Sequence, residues 1–466
     1  MIRLFHQYIS PKTIYLILWE GLLILASLAA AELCLFGGFD RVTTGQELFR
    51  MGVQALLMLI VFQLCFYINE LYDPQVVRYS AEQMLRLVEA LGGGCILLGL
   101  LTFAIPAIHL RIGLILIALV VLSASASVSR FAFDAAWASG ASRNRLLILG
   151  GGPLAVKVGR ELNRRADLGF ELAGFLTNGA EAPGNSSLFG SPVLGRIEDL
   201  RSIVAEQSIS RIVVALENGR GLLPVRDLVK LRARGVVIED AHTAISALTG
   251  RVWLDIVQPS WFLYSEGFHR SRLSSAAKRL NDVVFGVTGL VLSAPLMALI
   301  ALAVRLDSKG PALYRQRRVG LAGATFDVLK FRSMYIDAEA RGAQWACVDD
   351  PRITRVGRFI RKYRLDELPQ FVNVIRGEMS FIGPRPERPV FVDQLKEVIP
   401  YYEERHSVRP GLTGWAQVQY PYGATVEDAY RKHEYDLFYL KNMSILFDWA
   451  ILIQTIRIVL FGRGSR

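Results

Sequence analysis

Four long apolar blocks open the chain, Ile14 to Phe36, Leu48 to Ile68, Leu87 to Ile105 and Ile112 to Val128. Each nearly matches the ~20 residues that a helix needs to cross a hydrocarbon core. Residues 1–136 are therefore expected to form a four-helix transmembrane bundle. Ala29, Ala30 and Ala31 resemble a signal-cleavage site, but cleaved signals have shorter apolar cores of ~7–15 residues, so the first block reads as a span.

The period then changes. Arg145 to Gly150 reads as a short buried strand, Leu154 to Arg165 as a helix, Leu172 to Leu176 as a strand and Ile197 to Glu206 as a helix. Ile212 to Leu216, Val225 to Ala233 and Val236 to Glu239 continue as strand, helix and strand, with Ala182 to Pro192 as a loop. Such alternation predicts a Rossmann-like parallel α/β domain over residues 143–258.

A fifth apolar run, Val283 to Val304, is long enough to span, yet both flanks are basic: Lys278 and Arg279 before it, Arg305, Lys309, Arg315, Arg317 and Arg318 after it. Neither side is favoured for export. Pro295 at its middle removes a backbone hydrogen bond, and Ser293 is placed to satisfy a freed carbonyl. The expectation is a re-entrant helix over 276–305 that dips in and returns. An ordinary kinked span is the alternative, and it would put everything after it on the far side. The last run, Ile445 to Phe461, is interrupted by Asp448, Gln454, Thr455 and Arg457. It reads as an interfacial helix over 445–461 or as a C-terminal core helix, and periodicity does not choose.

Composition adds limits. The 466 residues allow about three domains, and 52% of them are hydrophobic. A net charge of +11 suits nucleic acid, an anionic membrane surface or a phosphate-rich substrate. Arg3 and Lys12, Arg78 and Arg86, then Arg130, Arg143 and Arg145 outnumber Arg41, Arg50 and Arg111 in the other loops. Both ends of the bundle are therefore expected in the cytoplasm. Cys34, Cys65 and Cys95 lie in or beside apolar runs and Cys347 stands alone, a spacing that fits reduced thiols and no metal knuckle.

Two places carry candidate chemistry. Gly150 and Gly152 partly fit a dinucleotide loop, with Ala155 in the third position, but Asn178 and Gly179 stand where a ribose-binding acid belongs. The second place is the stretch from Lys330 to Pro386, dense in Arg, Lys and paired carboxylates. Lys330 and Arg332 sit at alternate strand positions and so share a face. Arg352, Arg355, Arg358 and Arg361 recur every three residues after Asp350, a basic helical face suited to anionic lipid or a carrier phosphate. Asp366 precedes an apolar stripe of Leu368, Phe371, Val372 and Ile375, with Pro369 in the first turn and Gly377 at the end, so on its own it reads as a helix N-cap. Capping and catalysis are compatible, since a helix start also favours phosphate oxygens.

The strings KFRSM from Lys330, LDELPQ from Leu365, MSFIGPRP from Met379 and RPGLTGW from Arg409 resemble the bacterial sugar transferases, also called monotopic phosphoglycosyl transferases or polyprenyl-phosphate hexose-1-phosphate transferases. The resemblance covers Leu273 to Arg466 closely, and four spans followed by a Rossmann-like module look like the family's long members. It implies a membrane α plus α/β architecture whose residues 273–466 form the catalytic α/β domain with its re-entrant membrane helix. It also implies transfer of a sugar-1-phosphate, from UDP or another nucleotide, to undecaprenyl phosphate, through a phosphosugar-aspartyl intermediate on Asp366. Glu367 then helps bind Mg²⁺. Arg385, stiffened between Pro384 and Pro386, binds the nucleotide diphosphate, with Lys330, Arg332, Arg352 and Arg318 as further substrate-binding cations. Expected partners are the nucleotide sugar, undecaprenyl phosphate, the bilayer and a second copy in a homodimer, with no nucleic acid. The expected location is the bacterial inner membrane, the catalytic domain facing the cytoplasm.

Two other functions suit parts of the chain. A membrane-anchored, nicotinamide-dependent sugar dehydratase or epimerase fits the Gly150 turn but lacks the ribose acid and a Tyr-x-x-x-Lys pair. A non-enzymatic scaffold of a polysaccharide assembly complex requires Asp366 and Glu367 to be dispensable. His406 and His433 stand at no metal-binding spacing, Tyr401, Tyr402, Trp415, Tyr420 and Tyr422 read as core or interfacial anchors, and Asp337, Glu339 and Trp345 fall in no assignable pattern.

Overall fold

Apolar runs longer than a globular helix needs become, in the computed structural model, the helices α1 (Pro11–Phe36), α2 (Gly45–Ile68), α3 (Ser80–Ala104) and α4 (Ile112–Gly140). The structure describes residues 3–4, 7–36, 45–73, 80–105, 112–140, 144–178, 187–188, 190–216, 223–257, 261–262, 267–268, 271–336, 338, 350–420, 423 and 425–460. Asp337, Glu339, Trp345, Cys347 and Tyr422 lie outside them. The chain divides into two compact units, residues 1–4 with 8–244 and residues 5–7 with 245–466.

In the first unit, α1 to α4 share one apolar core that includes Ile24, Phe62, Phe66, Leu98 and Leu122. Leu18, Leu56, Leu100 and Val120 stay exposed on the outer faces, the inside-out pattern of helices meeting lipid. Arg130 of α4 donates Nε–H to Glu20 Oε1 of α1 at 2.6 Å, both buried. A charge in such a core persists only with its partner. Cys34, Cys65 and Cys95 are free thiols, as their spacing predicts.

The alternating region forms β1 (Asn144–Leu149), α5 (Pro153–Arg164), β2 (Phe170–Thr177), β3 (Ser187–Leu188), β4 (Ser191–Arg196), α6 (Leu200–Glu206), β5 (Arg211–Val214), α7 (Val225–Ala233), β6 (Val237–Asp240) and α8 (Ala241–Thr249). The sheet order is β3-β4-β2-β1-β5-β6, parallel except for β3 against β4. Leu146 to Leu149 of central β1 are fully buried, as a strand covered on both faces must be. The stretch read as a loop through Pro192 instead pairs at its end: β4 runs beside β2, with Phe175 opposite Val193. Pro192 and Gly195 hide this strand from a propensity reading.

The second unit contains α9 (Arg272–Asp307), an uninterrupted 36-residue helix, capped by Ser271 and containing Pro295. At about 1.5 Å per residue it is roughly 54 Å long. Among the described residues α9 and α1 to α4 are the five helices long and apolar enough to cross a membrane. Ser293 Oγ donates to Gly289 O at 2.6 Å. It therefore bonds the carbonyl four residues back from itself, not the Val291 carbonyl that Pro295 leaves unmet, because a serine hydroxyl on a helix reaches its own preceding turn.

Both ends of α9 are tied to the same fold. Near its start, Arg279 donates to Val374 O and Ile375 O, each at 2.7 Å, and Asp282 accepts from Phe381 N–H and Ser380 Oγ–H, each at 2.9 Å. Near its end, Ile300 and Val304 pack with Phe331 and Ile360. Between these attachments Val287, Val291, Leu292, Leu296 and Leu299 are exposed.

The rest of the unit comprises an antiparallel hairpin, β7 (Leu313–Val319) and β8 (Thr325–Phe331), then α10 (Arg355–Lys362) and α11 (Gln370–Arg376). Next come β9 (Ser380–Ile382), α12 (Pro389–Val398), β10 (Gly411–Thr413), α13 (Trp415–Gln419), α14 (Val426–Asn442) and α15 (Ile445–Leu460). β9 and β10 pair in parallel, Ser380 opposite Gly411. The MSFIGPRP and RPGLTGW strings therefore meet in space. A side chain on Gly411 would fall 2.1 Å from Gly383 N, so the glycine there is what lets the two backbones touch. Phe447 and Ile451 of α15 are buried with Trp415 and Phe438, while its Leu446, Trp449 and Ile456 are exposed. One face of α15 is core and the other offers apolar surface.

Candidate active site

Lys330 near the end of β8 and Glu367 in the turn before α11 face each other, Nζ to Oε1 at 3.3 Å. Arg385, from the loop after β9, bonds the same carboxylate. Together with Asp366 they line a cavity of about 610 Å³, which Arg318, Arg352, Arg361 and Arg364 also border.

The local chain path differs from the helix start that the sequence predicts. Leu365–Glu367 is a 3₁₀ turn, and α11 begins only at Gln370 with Pro369 as its N-cap. Asp366 therefore does not cap an α-helix. Arg364, just before the turn, adopts φ 55, a left-handed conformation that costs a side-chain-bearing residue about 1–2 kcal/mol. This bend separates α10 from the turn, and both carboxylates of the turn are buried in the cavity wall.

Burial, followed by the neighbouring charge of Glu367, raises the Asp366 carboxyl to about 6, against the pull of Lys330, Arg361 and Arg385. For Glu367 burial also acts upward, but Arg385 and Lys330 overcome it and hold the group below the usual carboxylate range. Burial lowers the Lys330 ammonium, opposed by Glu367. Two adjacent acids are thus driven apart: Glu367 stays anionic while Asp366 titrates near neutrality. Such a split assigns different tasks to the two groups.

The other predicted cations are distributed unevenly. Arg318 donates to Pro386 O at 3.0 Å and to Gln316, fixing the loop that carries Arg385. Arg332 lines the cavity but donates to Ser308 O at 2.6 Å and Lys309 O at 2.7 Å, closing the C-terminal end of α9. Alternate strand positions put it beside Lys330, and the open carbonyls of a nearby helix end then claimed it. Arg352 is not on the helix expected after Asp350, because Thr354 caps α10, accepting from Gly357 N–H at 2.9 Å. Arg352 precedes that cap and grips Asp350, Nε to Oδ1 at 2.8 Å. Arg355 and Arg358 are exposed and Arg361 faces the cavity.

Gly150 and Gly152 belong to the first unit. Gly150 has φ 131, and a side chain on it would lie 2.4 Å from Ala215 O, so the adjoining strand alone accounts for that glycine. Gly152 is the N-cap of α5, followed by Pro153.

Sequence reasoning missed a second group in the cavity wall. Arg405, Tyr402, Gln417, Tyr420, Lys432 and Asp436 border it. Arg405 joins Asp436 Oδ2 and Arg385 O, each at 2.9 Å. The signal was a charged residue among Leu437, Phe438 and Leu440 on the buried face of α14. His433 is buried, and burial followed by the Arg405 charge pushes its imidazole down to about 3, in keeping with a packed residue.

Among the described residues no three His, Cys, Asp or Glu side chains converge. Mg²⁺ does not require this: it takes one or two carboxylates and completes its shell with phosphate oxygens and water. Glu367, a single carboxylate in a cavity lined by Lys330, Arg318, Arg361 and Arg385, fits that donor set.

Residues 273–462 match the family described as bacterial sugar transferase, and residues 67–253 match a CoA-binding domain family. The chain is 45% identical over 219 residues to a UDP-N-acetylgalactosamine-undecaprenyl-phosphate N-acetylgalactosaminephosphotransferase of Aeromonas hydrophila, covering 47% of this chain and 51% of that protein. It is 34% identical over 331 residues to an undecaprenyl-phosphate glucose phosphotransferase of Komagataeibacter xylinus, 69% of this chain and 60% of that one. With a UDP-glucose:undecaprenyl-phosphate glucose-1-phosphate transferase of Klebsiella pneumoniae it shares 31% identity over 328 residues, 68% of each chain. The chain thus spans between half and three fifths of the first two relatives' lengths.

Proposed function

The chain belongs to the bacterial sugar transferase family, and from that premise we propose that it transfers a sugar-1-phosphate from a nucleotide diphosphate sugar to undecaprenyl phosphate. The single observation that carries the reading is the adjacent buried carboxylates Asp366 and Glu367 in a cavity wall, with Lys330 and Arg385 both paired to Glu367.

In this reading a diphosphate entering the cavity meets Arg385, Lys330 and the other cations, which offset the repulsion between an anionic nucleophile and an anionic substrate. Asp366, ionised above about pH 6, attacks the phosphorus next to the sugar. A P–O bond to Asp366 forms, the P–O bond to the nucleotide breaks, and nucleoside monophosphate leaves with its electron pair. The lipid phosphate oxygen then attacks the same phosphorus and releases the Asp366 carboxylate. Glu367 would hold a Mg²⁺ ion, which when bound neutralises charge on the leaving phosphate. Arg318 keeps the Arg385 loop in place and Arg332 fixes the end of α9.

In the same reading α9 enters the membrane and returns. Its two ends attach to one compact unit while its apolar middle is exposed, which favours a re-entrant helix over a full span. The α1 to α4 core with apolar outer faces supports a four-helix transmembrane bundle. The basic flanks support a catalytic domain on the cytoplasmic side of a bacterial inner membrane, where nucleotide sugars are available. The product would start an exopolysaccharide or O-antigen type glycan.

The test is nucleotide release by the purified full chain with Mg²⁺, undecaprenyl phosphate and a panel of donors that includes UDP-glucose and UDP-N-acetylgalactosamine. UMP release with formation of a lipid-linked sugar diphosphate is expected, and Asp366→Asn should abolish both. Transfer by Asp366→Asn at near the original rate sinks the nucleophile assignment.

A further inference from the structure

The cavity has two chemically different walls. Around Asp366 its charged groups are mainly cationic, whereas the wall built by α13, α14 and the turn before β10 carries Tyr402, Gln417 and Tyr420, with the carboxylate of Asp436 set against Arg405 and Lys432. Asp436 is only 2% exposed. Its Oδ2 accepts from Arg405 at 2.9 Å, and the carboxylate borders the cavity. An ionised carboxylate has about four acceptor sites, so one ion pair leaves it able to accept from a donor group that enters the cavity.

Arg405 fixes this carboxylate from behind. It also donates to Tyr402 OH and to Arg385 O, so the position of Asp436 is locked to the loop that carries the phosphate-binding Arg385. The charged groups facing Asp436 are Arg405, Glu387 and Lys432, and Lys432 is itself held by Gly423 O at 2.9 Å. Arg405 and Lys432 offset Asp436 and Glu387, so this wall carries no excess of positive charge to draw a phosphate. This wall therefore suits a neutral part of the donor that presents O–H groups, and a vicinal diol, with two adjacent donors, matches a carboxylate better than uracil does, because the uracil N–H lies between two carbonyl acceptors.

We propose that Asp436 is a specificity-determining residue that accepts hydrogen bonds from a diol of the donor substrate, held in register with the diphosphate by the Arg405 bridge to Arg385. The inference rests on the sugar-phosphate transferase reading. Two diols have this chemistry, that of the transferred sugar and that of the nucleoside ribose, and the experiment separates them.

The experiment measures kcat/KM for the full chain with its UDP-sugar, with the 2′-deoxyuridine and 3′-deoxyuridine analogues, and with analogues lacking single ring hydroxyls of the sugar. At least one analogue should lose about tenfold to a hundredfold in the wild type, the range for a hydrogen bond to a charged group. In Asp436→Asn the same deletion should cost less than threefold. A ribose analogue behaving this way identifies the nucleoside, and a sugar analogue identifies the transferred group. The ratio is internal to each protein, so a partly folded preparation does not distort it. Should Asp436→Asn fail to fold, Asp436→Glu, which keeps the ion pair but displaces the carboxylate, must shrink the same penalty. If no analogue loses more than threefold in the wild type, or every analogue is penalised equally in wild type and variant, the proposal is overturned and Asp436 only anchors Arg405. Absence of turnover with every nucleotide sugar overturns the transferase reading itself.

Discussion

The Asp366 and Glu367 pair makes a prediction about pH that distinguishes a nucleophile from its neighbour. With Asp366 near 6, roughly nine tenths of the free enzyme carries the nucleophilic anion at pH 7 and roughly one tenth at pH 5. The sign follows from the raised value: activity is present above it and lost as the pH falls through it. The first half-reaction should therefore slow about tenfold between pH 7 and pH 5 at subsaturating donor. The readout is release of nucleoside monophosphate without acceptor lipid, because a phosphate monoester has its own second ionisation near 6 and would titrate in the same window. Glu367→Gln removes the neighbouring charge that raises Asp366 and leaves Lys330 and Arg385 free to act on it. In that variant the plateau rate falls while the acid limb moves to lower pH, so it keeps a larger share of its own plateau at pH 5 than the wild type does. A first half-reaction equally fast at pH 5 and pH 7 would refute the reasoning, as would an acid limb that stays in place in Glu367→Gln.

Other predictions follow from the division of labour among the cations. Arg332→Ala should destabilise the catalytic unit by about 2–3 kcal/mol, read as a lowered thermal midpoint in detergent, because a buried guanidinium holding the α9 carbonyls is lost. Lys330→Met should leave that midpoint near the wild-type value and lose at least tenfold in kcat/KM, since its partner is the Glu367 side chain and not the backbone. Chelation with EDTA should stop nucleotide release, and readdition of Mg²⁺ should restore it. Activity that survives exhaustive chelation rules out the metal role of Glu367.

How much was legible in advance depended on the range of the interaction concerned. The helices α1 to α4 and most of the parallel sheet follow from local hydrophobic period, and the structure matches them to within a few residues at most ends. β4 did not, because Pro192 and Gly195 weaken its local preference and its pairing with β2 decides it. The start of α11 was misjudged for a related reason. Leu365 to Gln370 has helix-like composition, but Arg364 in a left-handed conformation and Pro369 at the cap confine Asp366 to a 3₁₀ turn. The motif cluster from Lys330 to Pro386 marked the cationic wall of the cavity, whereas Asp436 and Arg405 went unread because they reach that cavity from α14 and a distant turn.

By itself the sequence determined where apolar helices form, where the sheet lies and where basic and acidic side chains concentrate, because period, flanking charge and local motif are properties of contiguous chain. Only the tertiary structure decided what each charged group does. Lys330 and Arg332 sit two residues apart, yet one faces a carboxylate and the other closes a helix end. Two neighbouring acids acquire opposite shifts because burial and the cations of three separate segments act on them unequally. Coulombic and desolvation effects depend on distance in space, and the fold alone sets those distances.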